Sequence, residues 1–169
     1  MRHPGPRLAT AALLPLLLGP GASARAQGRA IGPLSAFDAQ VVEFAREGAR
    51  SRLGSPECRK LLSDFTDAGG RTLALNLRRF DVAPDEYLAM LPILDGATRP
   101  LCQAGRSELL TTAGVPRVFV CKAFLRTVSE RREMAEVYLI HEMLHTLGLG
   151  ENPPSSQEIT RQVVRRCAP

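Results

Sequence analysis

His141 and His145 stand in the run His141-Glu142-Met143-Leu144-His145, and the only other histidine is His3. Positions i and i+4 share one face of a helix. Two neutral imidazoles at that spacing can grip one divalent cation, and a carboxylate beside the first can reach a metal-activated water. The chemistry those residue types suit is metal-assisted hydrolysis.

A helix must carry the pair, and the pattern around it supplies one. Val137, Ile140, His141, Leu144 and His145 follow the i, i+3, i+4, i+7, i+8 rule. Ser129 opens this helix, which runs over about 130–147 and stops at Gly148. A tight connection over 149–154 contains Pro153 and Pro154. Ser155 then opens a last helix to about Arg166, with Ile159, Val163 and also Val164 facing inward. Upstream, Ser35 caps a helix over 36–49 with Phe37, Val41, Phe44 and Ala45 on one face. Pro56 starts a second helix holding Cys58, Leu61, Leu62 and Phe65, and Asp67 to Gly70 is a turn. The stretch 72–80 reads either as a strand, by alternation of Leu73, Leu75 and Leu77, or as a helix, by its Leu, Ala and Arg content. Pro84 begins a short helix with Tyr87, Leu88 and Leu91. Arg117 to Cys121 is the clearest strand. These elements make an α+β fold, mainly helical with a small sheet.

Residues 1–26 read as a secretory signal. Arg2 and Arg7 precede a short apolar run from Leu8 to Leu18, and Ala22-Ser23-Ala24 and Ala24-Arg25-Ala26 are small-residue cleavage patterns. Residues 27–169 then form a single domain, with no other stretch able to span a membrane. The formal charge is +5. Cleavage after Ala26 removes Arg2, Arg7 and Arg25 and no acid, which takes three from five and leaves +2. That balance and the scatter of the arginines exclude a nucleic-acid surface. Cys58, Cys102, Cys121 and Cys167 are an even set without a CxxC, which in an exported chain implies two disulfides. Three pairings are open, and a bridge from Cys167 would tie the last helix to the body.

The segment from Ile140 to Glu151 resembles the zincin metallopeptidases, whose signature is H-E-x-x-H on an active-site helix. Gly148, three residues past His145, is similar to the metzincin extension H-E-x-x-H-x-x-G-x-x-H. Glu151 stands where that pattern has its third histidine, and no methionine follows Met143 to form a Met-turn. A minimal gluzincin-like arrangement, with a glutamate returned from the following helix, is the other form. The resemblance covers roughly residues 117–160. It implies a zinc ion, a peptide or protein substrate, Glu142 as general base, and an active-site helix packed on a sheet with the 118–121 strand at its edge.

Catalytic zinc usually has three protein ligands. With no third histidine available, a carboxylate must complete the set, and two compete. Glu151 holds the metzincin position. Glu158 lies one turn into the last helix, but Ser155-Ser156-Gln157-Glu158 also fits a capping box, a role that excludes ligation. Tyr138, Tyr87 and Arg161 are candidate oxyanion donors, with Tyr138 better suited to the core or to support of a ligand. Asn152 either bonds the Glu151 region or starts the turn before Pro153. Asp64, Asp81, Asp85 and Asp95 are available to orient the imidazoles. The leading function is an exported zinc peptidase. The alternatives are a non-catalytic zincin-like metal-binding module and a disulfide-braced envelope interaction module.

Overall fold

The computed structural model describes residues 32–168; the expected leader over 1–26 and its cleavage patterns lie outside the described residues. The helices are α1 (Ala36–Leu53), α2 (Pro56–Arg59), α3 (Leu61–Asp64), α4 (Leu73–Leu77), α5 (Pro84–Met90), α6 (Pro100–Gln103), α7 (Lys122–Glu130), α8 (Arg132–Thr146) and α9 (Ser156–Cys167). Strands β1 (Ile93–Asp95), β2 (Leu109–Leu110) and β3 (Val118–Val120) form one sheet in the order β1-β3-β2. β1 runs parallel to β3 and β2 antiparallel to it. The fold is α+β, mainly helical with a small mixed sheet, and α8 packs against β2 and β3.

β3 is the central strand, not the edge. Val118, Phe119 and Val120 are all buried, as expected of a strand covered on both sides. Its neighbours are three and two residues long, too short to leave a period-2 signal.

α1 is rotated from its expected face. Val42, Ala45, Ala49 and Leu53 are buried, while Phe37 is 73% and Phe44 54% exposed. α1 packs along α8, and Gly48 permits the close approach, since a Cβ there would collide with Glu136 Oε1. Ala45 and Ala49 are buried on the same helix. Glu136 is buried between Arg52 (2.7 Å) and Arg132 (2.9 Å), so the close approach also seats a paired charge. Arg132 in turn covers the ring of Phe44.

The 72–80 stretch is helical. Thr72 caps α4, and Leu73, Asn76 and Leu77 are its buried residues, an i, i+3, i+4 set. A 3-10 turn, Arg78–Phe80, follows. The helix expected over 130–147 is α8, and a separate α7 precedes it. Ser129 is not a cap: its hydroxyl donates to the Leu125 carbonyl inside α7. The break falls at Arg131, whose φ of −147° leaves the helical region.

The carboxyl end of α8 is closed by a side chain of α4. Asn76, buried, donates to the Leu147 carbonyl and to Asp67 Oδ2, each at 2.9 Å. Its hydrogen bond, followed by those from the Arg71 and Gly69 backbone and the Arg71 side chain, holds the Asp67 carboxyl well below the usual range. Gly148 turns the chain at φ +111°, and a Cβ there would sit 3.2 Å from Asp67 Cβ. Asn76→Ala strands a helix-terminal carbonyl, so urea denaturation should show a loss of about 1–3 kcal/mol.

Cys58 pairs with Cys167 and Cys102 with Cys121. The first bridge fastens the last residue of α9 to α2. Among the described residues no helix is long and apolar enough to cross a membrane. Both facts are compatible with an exported protein.

Candidate metal centre

α8 presents His141 and His145 on one face, 5% and 8% exposed. Their Nε2 atoms are 3.0 Å apart. After the turn at Gly148, the chain folds back over them. The Leu149 carbonyl meets His145 Nδ1 at 2.7 Å, and Glu151 Oε1 stands 3.3 Å from His145 Nε2 and 3.7 Å from His141 Nε2. His141 Nδ1 meets the Thr160 hydroxyl of α9 at 3.0 Å.

These partners set the tautomers. A carbonyl only accepts, so His145 Nδ1 carries the proton and Nε2 of the neutral ring is a lone pair. The Thr160 hydroxyl can accept from His141 Nδ1, which frees the other Nε2 in the same way. Burial, and then the charge of His145, lowers the His141 pKa to about 4, against the opposing pull of Glu151. The ring is therefore neutral near pH 7, the form that ligates metals.

Two lone pairs and a carboxylate oxygen thus converge on one point. The group His141, His145 and Glu151 could hold a metal ion. Tetrahedral ligands at about 2.0–2.1 Å from an ion are about 3.3–3.4 Å from one another. The observed separations of 3.0, 3.3 and 3.7 Å bracket that edge. With both Nε2 atoms unprotonated, three electron-rich atoms meet at a metal-ligand spacing, and the donor set fits a metal ion.

Glu158 goes elsewhere. Its Oε2 lies 3.4 Å from both the backbone nitrogen and the hydroxyl of Ser155, completing the capping box of α9. It is not in the converging group. Thr160, half a turn further along, faces the imidazoles instead.

Glu142 is half-buried between the two clefts beside the centre. One, about 400 Å³, is lined by Thr111, Glu142, His145, Leu149 and Glu151 among others. The other, about 210 Å³, includes Arg106, Glu108, Tyr138, His141, Glu142 and Thr160. Burial raises the Glu142 carboxyl above the usual range, while His145 and the Thr111 hydroxyl pull it down. A larger cavity of about 600 Å³, lined by Arg59, Leu77, Arg78 and Asp81, lies at α4 and holds none of the converging ligands. Chemistry rather than size singles out the α8 clefts.

The remaining candidates are spread out. Tyr138 lines the smaller cleft, and Arg161 sits beside it in a neighbouring groove. Tyr87 is buried and donates to the Thr146 hydroxyl at 3.1 Å, which commits it to the core. Asn152 forms the turn, with φ +61° and its backbone N–H donating to the Pro154 carbonyl. The imidazoles are oriented by Thr160 and Leu149 rather than by an upstream aspartate. Asp64 pairs with Arg166, and Asp95 accepts from the Ala97 N–H.

Sequence reasoning did not single out Thr160, Thr111 or the 106–109 wall. None stands in a spacing pattern with the histidines. Thr160 had one faint signal, its place beside the core residue Ile159 on α9. Thr160→Val should weaken metal binding roughly 10–100-fold in competition with a chromophoric chelator, and Thr160→Ser should restore it.

Comparison with known protein families, characterised proteins and solved structures finds none that matches this chain.

Proposed function

We propose that the protein is an exported zinc-dependent peptidase. The observation that carries this reading is the meeting of His141, His145 and Glu151 beside Glu142, at the junction of two open clefts. The donor set is two nitrogens and one oxygen, which suits zinc. Structural zinc sites are closed by four protein ligands, whereas this group among the described residues has three, with Glu151 40% exposed. The H-E-x-x-H likeness to zincins supports the same reading.

A zinc ion held there would supply Lewis acidity, making a water more acidic and a carbonyl more electrophilic. The chain's own residues do the rest. His141 and His145, fixed by Thr160 and Leu149, would hold the ion with Glu151. Glu142 would accept a proton from the attacking water and return it to the leaving amine. Its raised pKa brings the carboxylate closer to neutrality, which suits both transfers.

Elemental analysis of purified protein and hydrolysis of a mixed peptide library test the proposal. About one zinc per chain is expected, with cleavage abolished by a chelator and restored by added zinc. Protein that binds zinc yet cuts nothing would instead be a metal-binding module.

A further inference from the structure

The smaller cleft holds a carboxylate whose bonding is incomplete. Glu108 stands on the wall just before β2, in the same cleft as His141 and Glu142. Its Oε2 is buried and has no hydrogen-bond partner. Its Oε1 has only a loose ion pair with Arg131, at 4.0 Å, and that arginine is 58% exposed. The Glu108 side chain itself is 27% exposed, so the carboxylate is half withdrawn from water with neither oxygen accepting a hydrogen bond from a described residue. A charged group left in that condition is costly, and a donor entering the cleft would relieve the cost.

The backbone keeps Glu108 in place. Its carbonyl accepts from the Cys121 N–H at 2.9 Å, and Cys121 is bridged to Cys102 of α6. The carboxylate is therefore held at the cleft by the sheet and the disulfide, not by bonds of its own. Arg106, Tyr138, His141 and Glu142 are among the other polar groups that line the cleft. Arg106 is exposed, with no ion pair among the described residues, whereas both carboxylates are partly buried, so the lining around Glu108 favours a cation.

We propose, resting on the peptidase reading, that Glu108 determines specificity by receiving a cationic group of the substrate next to the bond that is cut. The group is an ammonium or guanidinium. Its source is a Lys or Arg side chain or the free α-amino group of a peptide, and both present the same N–H donors. A charge-assisted hydrogen bond to an otherwise unpartnered acceptor discriminates strongly against an uncharged isostere.

The test uses the zinc-loaded full chain and peptides carrying Lys, Arg, norleucine or Glu at each position flanking the cut. Every peptide is made with a free and with an acetylated amino terminus. A side-chain source predicts that Lys or Arg peptides exceed the norleucine peptide roughly 10–100-fold in kcat/KM whether or not the amino terminus is acetylated; an α-amino source predicts that each free peptide exceeds its acetylated form by that factor, with Lys and norleucine alike. In Glu108→Gln whichever preference the wild type shows should fall towards one, and Glu108→Lys should favour the Glu peptide. A wild type showing neither preference, or a preference unchanged in Glu108→Gln, overturns the proposal. If no peptide is cut although zinc is bound, the peptidase reading fails by itself. The Glu108 assignment is then decided by binding of the same peptides to the zinc-loaded wild type, where equal affinity for Lys and norleucine peptides and for free and acetylated forms overturns it.

Discussion

Glu142→Gln is expected to retain a full complement of zinc and to lose roughly 10²–10⁴-fold in kcat. The amide keeps the size and the polarity of the carboxylate and cannot take up a proton. Glu142 contributes no atom to the converging donor group, so the metal should stay. The pairing of measurements matters more than the loss alone. Elemental analysis and single-turnover hydrolysis on the same preparation separate a missing base from a missing metal. Undiminished hydrolysis would remove Glu142 from the mechanism and leave the ion as the sole catalyst.

Glu151→Gln and Glu158→Ala should part company just as sharply. Glu151 supplies the third donor atom, within 3.7 Å of both imidazole nitrogens. Its neutral isostere should weaken zinc binding by more than the roughly 10–100-fold typical of losing an outer partner. Among the described residues the Glu158 carboxylate bonds only Ser155 at the start of α9, so its removal should leave zinc affinity intact and lower stability by less than about 1 kcal/mol. Metal titration of both variants, with a thermal melt of each apo form, checks the pair. Loss of zinc in Glu158→Ala at unchanged stability would exchange the two roles.

The long helices were legible in extent: serine caps mark the starts of α1 and α9, and apolar periodicity with the Gly148 stop marks α8. The strand Val118–Val120 was legible because its branched and aromatic residues follow a Gly-Pro turn. The short strands β1 and β2 were not, since two or three residues carry no period. The rotation of α1 shows a different limit. Phe37 and Phe44 look like core by hydrophobicity alone, yet Ala45 and Ala49 are buried and Gly48 sits against Glu136 of α8, because close helix approach rewards small side chains that a hydrophobic pattern undervalues. The boundary between α7 and α8 escaped notice for a related reason. Ser129 has the composition of a cap, and only the fold decides whether its hydroxyl serves the helix behind it or the one ahead.

What the sequence by itself determined is local: two imidazoles one helical turn apart, a carboxylate between them, and a glycine that ends their helix. Covalent spacing and helical pitch are enough for that. Which acid joins the imidazoles, which groups hold their rings, and what lines the clefts were decided only by tertiary structure. Glu151 and Glu158 are the same residue type a few positions apart. The turn at Gly148 folds one onto the nitrogens, and the N-terminus of α9 takes the other for its own unpaired N–H groups. Thr160 and Glu108 reach the cleft from segments far from one another along the chain, through packing and disulfides that no spacing records.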